Sequence, residues 1–334
     1  MHTTRRTRLA ALASCLALAA TLGSCGLVAG DDEEATGSDG YYPITVENCG
    51  AEVTIPSEPQ KLVLLKSSEV PALHSLGVLE RSIAKAGAFP DAYYDEATNA
   101  ELDAIESLTS KSDSSGHLQI SKEVVMEAEP DLVFGEVDNL SRETLAAVKI
   151  PLVENPAMCG EGLAQPGFDD IYAQVEFLGK VFNRADEAAA TVQELKERVA
   201  DLQAQAPTGQ ERTAAVLYPT VGGGVTYAYG TRSMAHPQLE AAGFKNVFAD
   251  QDERVFEVSV ETLLDRNPDV LILLYSDGDP QQVIDAVTTL PGAGTLTAVR
   301  NGDILPQLFN YTEPPTPLAV DGLEKIIERF GEQS

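Results

Sequence analysis

The chain has 334 residues, with 52 Asp and Glu against 23 Lys and Arg and a formal charge of −29. So acidic a balance excludes nucleic-acid binding, which needs a basic footprint. The few His and Cys show no ligand spacing, so a structural zinc site or a bare zinc or manganese site is not expected either.

In chain order, the first element is a leader. Arg5, Arg6 and Arg8 precede an apolar stretch from Leu9 to Leu22, and small residues lead to Cys25. This is the pattern of a secretory signal, too short for a flanked membrane span. Leu22-Gly23-Ser24-Cys25 resembles the lipobox of bacterial lipoproteins, whose Cys is acylated and becomes the mature N-terminus. Residues 1–24 are therefore read as signal and Cys25 as a lipid anchor. The acidic, Gly-containing stretch through 25–42 has no apolar pattern and reads as a tether. Cys15 leaves with the signal and Cys25 takes lipid, so Cys49 and Cys159 remain. In an exported chain the pair suggests one disulfide, with two unrelated buried thiols as the alternative. About 290 residues follow the tether, more than one ordinary core holds, and they predict two lobes.

From residue 44 short apolar runs alternate with helical stretches. "KLVLL" (61–65) reads as a buried strand, "SEVPALHSLGV" as a helix opened by Ser68, and "SIAKAG" as a second strand. Two further helix–strand steps end in "DLVFG" and "IPLVEN". This is an α/β lobe with parallel strands and right-handed crossovers, assigned to 43–182. The rhythm breaks at 166–206, which carries two helices and no strand. Asn183 is placed to cap the second, and Pro207 to end it. Val192, Leu195, Val199, Leu202 and Ala206 give that helix one buried face, with a short coiled-coil seam as the rival reading. At 1.5 Å per residue, about 23 helical residues within 183–207 span about 34 Å, enough to join two lobes. Then "TAAVLYP", "VTYAYG", "DVLILLY" and "GDILPQL" restart the strands in a second α/β lobe at 208–334, on the plan of the first. "VGGG" at 221–224 lacks the Gly-Lys-Ser/Thr of a phosphate loop and reads as a hairpin turn.

One stretch is nearly written twice. "SKEVVMEAEPDLVFG" (121–135) returns as "SVETLLDRNPDVLIL" (259–273). Each has Ser, then Glu two residues on, then Pro-Asp seven and eight residues after the Glu. Ser121 and Ser259 are placed to cap their helices, with Glu123 and Glu261 in the first turn, where a carboxylate suits the macrodipole.

These stretches, the lone long helix, "VTIPSEPQKLVLLKSSEVPALHSLGVLERSIAKAG", "YGTRSMAHPQLEAAGFKNVFAD" and "LTAVRNGDILP" together resemble the Fe/cobalamin-type periplasmic-binding family. These are substrate-binding proteins of ABC importers for ferric siderophores, haem and cobalamin. The resemblance runs from about residue 43 to the C-terminus. It implies two Rossmann-like α/β lobes joined by a single long rigid helix, with the ligand cleft between them. It also implies that Glu123 and Glu261, one per lobe, dock onto Arg pockets of the two permease subunits.

A cleft at the carboxyl ends of the strands makes the following loops the candidate contacts. In the first lobe these are Lys66, Ser67, Ser68, Phe89, Glu136 and His117. In the second they are Tyr218, Tyr227, Tyr229, Arg232, Tyr275 and Tyr311. The Tyr residues would stack on a chelate or hydrogen-bond it, or serve as ordinary strand aromatics. Arg232 would clamp siderophore carboxylates, or cap a helix start at the surface. By the resemblance, His117 and Tyr218 could ligate haem, but Thr220 stands where haem binders often carry Arg. Cobalamin binders similar to the family have Trp at the places of His117 and Val255, and this chain has no Trp.

The expected function is that of a lipid-anchored substrate-binding protein capturing a ferric siderophore for an ABC permease and its ATPase. Haem, a corrinoid, or a sensor role toward a membrane receptor remain as alternatives. A monomer is expected, with no cofactor of its own. A chelatase-type enzyme shares a similar two-lobe design, but the export signal and the lack of a His–acid constellation argue against catalysis.

Overall fold

The computed structural model describes residues 40–111, 118–207 and 211–331. The leader, Cys25, most of the tether and His117 lie outside the described residues. Among the described residues no helix is long and apolar enough to cross a membrane.

The tether's last residues are already anchored. Tyr41 and Tyr42 donate their hydroxyls to the carbonyls of Lys180 and Val181, each at 2.8 Å, at a helix end where carbonyls lack intrahelical partners. A hairpin follows, β1 (Ile44–Asn48) and β2 (Ala51–Ile55), paired antiparallel. Its two-residue loop, Cys49-Gly50, has positive φ at both positions (54° and 70°), the turn that matches strand twist. The loop presents Cys49 to Cys159, and the two are bonded with Cα atoms 5.3 Å apart.

The first sheet is built from β3 (Leu62–Leu64), α1 (Val70–Ser75), β4 (Ser82–Ala86), α2 (Glu96–Asp103), β5 (Glu106–Thr109), α3 (Lys122–Glu127), β6 (Leu132–Phe134), α4 (Arg142–Ala146) and β7 (Leu152–Val153). The strand order is β5-β4-β3-β6-β7 and every pairing is parallel. Strands β3, β6 and β7 are buried along their whole length, as expected where helices cover both faces. Ser68 does not open the first helix. It lies in a 3-10 turn, and Pro71 stands in the helix's first turn instead.

Helices α5 (Phe168–Val181) and α6 (Ala185–Gln205) come next, without a strand between them. Val192, Leu195, Val199 and Leu202 form the buried face of α6, while Ala206 lies just past its end. Asn183 does not cap this helix. It adopts φ 52°, a left-handed turn between α5 and α6 that Asn tolerates, and Arg184 occupies the cap position.

The second sheet comprises β8 (Thr213–Pro219), β9 (Thr226–Tyr229), α7 (Ala235–Ala241), β10 (Lys245–Asn246), β11 (Val255–Val258), α8 (Val260–Arg266), β12 (Val270–Tyr275), α9 (Pro280–Thr288), α10 (Thr297–Asn301) and β13 (Ile304–Leu308). Helix α11 (Pro317–Phe330) closes the chain. The order is β11-β9-β8-β12-β13, with β10 beside the start of β8. Strands β8, β12 and β13 are parallel, but β9 pairs antiparallel with both β8 and β11, so this sheet departs from the first one's plan. The cause is connection length. β3 reaches β4 through a helical crossover, whereas β8 reaches β9 through Thr220–Val225, too short for anything but a hairpin. Gly222, Gly223 and Gly224 all take positive φ there, conformations open to glycine.

The repeated stretch occupies the same place in both sheets. α3 leads into β6 beside β3, and α8 leads into β12 beside β8. The Pro-Asp has a physical role in each copy. Asp131 accepts the backbone N–H groups of Gln60 (2.8 Å) and Lys61 (2.9 Å), just before β3. Asp269 accepts the N–H and the hydroxyl of Thr213, both at 2.9 Å, at the start of β8. Each carboxylate thus fixes where the neighbouring strand begins. The serines differ: Ser259 caps α8 through Thr262 N (3.1 Å), but Ser121 makes no such bond to its helix.

One continuous cluster of buried apolar side chains runs from Leu64 and Phe134 of the first sheet, through Leu178, Val192 and Leu323 of α5, α6 and α11, to Val216 and Ile272 of the second. Arg198 of α6 pairs with Asp321 of α11 at 2.6 Å and also with Glu324, tying the connecting helix to the C-terminal one. Helix α6 is therefore packed between neighbours and is not an open strut.

Candidate functional site

A cleft of about 420 Å³ opens where the loops after β3, β4, β5 and β6 face those after β12 and β13 and the end of β8. Its first-lobe wall holds Lys66, Ser67 and Ser68 after β3, Ala88 and Pro90 after β4, Lys111 after β5, and Glu136 and Asp138 after β6. Met158 joins them from the turn beside the disulfide. The second lobe supplies Tyr218 from β8, Ser276 and Asp277 after β12, and Phe309, Asn310 and Pro314 after β13. All but Met158 and Tyr93 come from strand ends or the loops they lead into, the geometry of ligand crevices in open α/β sheets.

The floor is a clasp between the lobes. Asn310 takes hydrogen bonds from Ser67 Oγ (2.9 Å) and Ser68 N (3.2 Å). Its own N–H donates to Tyr93 Oη at 2.9 Å. Tyr94 donates to the Ser67 carbonyl at 2.8 Å, and Tyr311 donates to the Ala92 carbonyl. Burial pushes the Tyr93 and Tyr94 hydroxyls far above their usual range and that of Tyr311 up to about 12. All three remain neutral at physiological pH, and none is poised as a phenolate ligand.

Lys66 is held from below. Its Nζ lies 3.8 Å from Oε2 of Glu154, which is 3 % exposed. Glu154 also accepts the N–H groups of Glu136 (2.8 Å) and Asn155 (2.7 Å). Glu69 is buried alongside, accepting from Asn155 Nδ2 (3.2 Å) and Gln174 Nε2 (2.8 Å). Burial raises both carboxyls above their ordinary values; the two amides partly offset this for Glu69, and Lys66 does so for Glu154. In the second lobe Glu313, also raised by burial, is countered by Arg254 at 2.9 Å and accepts Met234 N at 2.6 Å. Arg254 further contacts Met158 Sδ at 3.8 Å, on the cleft wall.

Of the residues chosen from the sequence, the structure brings Lys66, Ser67, Ser68, Glu136 and Tyr218 to the cleft. Tyr218 hydrogen-bonds Ser276 Oγ at 2.9 Å and meets Phe309 edge-on. The others stand elsewhere. Phe89 packs onto the core with Lys85 Nζ 5.8 Å from its ring centre. Tyr229 is buried in the core, Tyr311 serves the clasp, and Tyr275 packs partly buried against it. Tyr227 is exposed on the β8–β9 hairpin opposite Tyr218. Arg232 donates to the Glu161 carbonyl at 2.9 Å, bridging the lobes outside the cleft lining. Glu123 and Glu261 are exposed in the first turns of their helices, and hydrogen bonds at the helix start hold the Glu123 carboxyl below its usual range. His117 and Cys25, the expected lipidation site, lie outside the described residues.

Sequence reasoning missed Lys111, Met158, Ser276, Asp277, Phe309 and Asn310. Most stand one or two places beyond a predicted strand, and the same strand-end rule reaches them. Met158 carries no such signal. Among the described residues no group of three His, Cys, Asp or Glu is placed to hold a metal.

The comparisons agree with this geometry. A family profile described as periplasmic binding protein matches residues 82–305. The crystal structure of an ABC-type Fe3+-hydroxamate transport system from Saccharomonospora viridis is 56 % identical, with a TM-score of 0.82, covering 87 % of this chain and 99 % of that one. An uncharacterized ABC transporter substrate-binding lipoprotein of Bacillus subtilis is 24 % identical over 95 % of both chains. An Fe(3+)-citrate-binding protein of the same organism is 24 % identical over 76 % of this chain and 74 % of its own. With two sheets facing across a cleft and a profile that runs from β4 into β13, the chain belongs to the periplasmic binding protein family.

Proposed function

We propose that this protein is the substrate-binding component of an ABC importer and that its cargo is a ferric siderophore of the hydroxamate type. The observation that carries the reading is the cleft. It sits between two α/β lobes and offers hydroxyls, an amide and aromatic faces rather than a nucleophile with its base. The 56 % identical relative whose title names Fe3+-hydroxamate transport supports the choice of cargo. In this reading Lys66, Ser67, Glu136 and Tyr218 touch the chelate. Lipid on Cys25 holds the monomer to the outer face of the membrane, and Glu123 and Glu261 meet the permease, whose ATPase drives uptake.

The test is spectroscopic. Purified protein is mixed with ferrioxamine B, hemin and cyanocobalamin separately and passed through a desalting column. The hydroxamate charge-transfer band is expected to elute with the protein. Co-elution of only a Soret or corrin spectrum replaces the cargo with haem or a corrinoid.

A further inference from the structure

The charged residues of the cleft carry a preference that the cargo's general class does not settle. The described lining residues include three acids, Glu136, Asp138 and Asp277, and two lysines, Lys66 and Lys111. Lys66 already faces the buried carboxylate of Glu154 at 3.8 Å. The nearby guanidinium groups are also committed to protein acceptors. Arg254 is paired with Glu313, Arg232 donates to the Glu161 carbonyl, and Arg142 donates to the carbonyl of Asn48 at 2.6 Å. A polyanion is ordinarily met by several convergent guanidinium or ammonium groups, with bidentate arginines the strongest. This cleft has no such convergence among its described lining residues. The chain's charge of −29 adds long-range repulsion of anions.

Ferric chelates divide sharply on this axis. Three singly charged hydroxamates balance the ferric ion and leave a neutral complex, or a cationic one when the ligand also carries an amine. Three doubly charged catecholates leave a trianion, and citrate complexes keep surplus carboxylates. A neutral hydroxamate complex asks for hydrogen-bonding groups and apolar faces. The cleft supplies Ser67, Ser276, Tyr218, Asn310 and the ring of Phe309.

We propose that this cleft selects ferric chelates by charge, accepting neutral or singly cationic complexes and refusing polyanionic ones, with Asp277 and Glu136 setting the preference. The proposal rests on the ferric-chelate reading above. Asp277 is exposed at the cleft wall, two residues beyond β12, where its carboxylate can meet a ligand ammonium. Glu136 uses Oε1 to accept Arg142 N at 2.8 Å, which fixes its carboxylate at the opposite wall.

The experiment is calorimetric titration of the full chain with three iron complexes at low and at moderate salt. The probes are ferrioxamine B, which ends in a free amine, its neutral N-acetyl derivative, and a trianionic ferric tris-catecholate. Ferrioxamine B is expected to bind about three- to tenfold more tightly than the acetylated form, as for one or two partly exposed ion pairs. That ratio should shrink as salt rises. The tris-catecholate should bind at least about tenfold more weakly than the neutral complex, because it meets like charge without a cationic cluster. Asp277→Asn should cut the preference for the amine to less than about twofold, and Glu136→Gln provides an independent second variant at the facing wall. Catecholate binding as tight as that of the neutral hydroxamate overturns charge selection while leaving the ferric-chelate reading in place. An amine preference that persists in both variants also overturns it. Failure of all three iron complexes to bind removes the ferric-chelate reading and this proposal with it.

Discussion

At the scale of single residues, the buried carboxyl of Glu69 is the most informative group away from the cleft wall. Burial raises its pKa, two amide donors and Lys66 pull it back, and the neighbouring Glu154 pushes the other way. An acid that binds its proton more tightly folded than unfolded gains stability as pH falls through the raised folded value. The gain is complete below the ordinary carboxylate range, and the penalty stands in full above the raised value. Glu69→Gln should therefore raise the thermal midpoint by about 2–4 °C at pH 8, as expected for roughly 1 kcal/mol in a chain of this size. The difference from wild type should fade as pH falls toward 4.5, the group's ordinary value. The amide can be accommodated because Gln174 Oε1 is buried without a partner and can accept from the new side chain once Gln174 turns over. Thermal denaturation of both proteins from pH 4 to pH 8 measures the crossover, and parallel curves would mean that Glu69 carries no burial penalty.

At the scale of elements, the duplicated helix–strand unit gives the sharpest prediction. Asp131→Ala and Asp269→Ala each strand backbone or hydroxyl donors at the start of a neighbouring strand. Each should cost about 1–3 kcal/mol in urea denaturation. The two sites share no partner, so their effects should add. The disulfide closes a loop with a sequence separation of 110. In the loop-closure account it contributes up to about 4–5 kcal/mol, so the Cys49→Ser, Cys159→Ser double variant should unfold at correspondingly lower denaturant. Much of this scale was legible beforehand. Buried strands, the lone long helix and the twin stretch are periodic patterns, and periodicity survives in a single sequence. What stayed hidden depends on direction. Tyr229 closes a strand and Phe89 follows one, yet their rings turn into the core, and Arg232 reaches a carbonyl of the other lobe. The antiparallel β9 was partly readable, because the glycine hairpin was recognised, although its effect on the sheet's plan was not drawn. Asn183 looked like a cap because Asn suits both caps and left-handed turns, and local sequence alone does not separate the two.

At the scale of the whole molecule, the two exposed glutamates can be tested together. The Glu123→Arg, Glu261→Arg double variant should bind cargo as the wild type does yet fail to support uptake through its own permease in cells. Uptake at the wild-type rate would return both residues to plain helix-end electrostatics. The duplicated plan suggests two units, each able to stand alone, but the continuous cluster through α5, α6 and α11 sets a different rule. Leu178, Val192 and Leu323 pack in one interior whose walls are the two sheets. Expressed as separate halves divided after Pro207, each piece would carry a wet apolar flank and should stay soluble only when its counterpart is present. Mixing should then restore a single sharp melting transition. Kinship between the halves has become interdependence: a proteolytic nick between them should be tolerated, whereas the loss of either piece should ruin both.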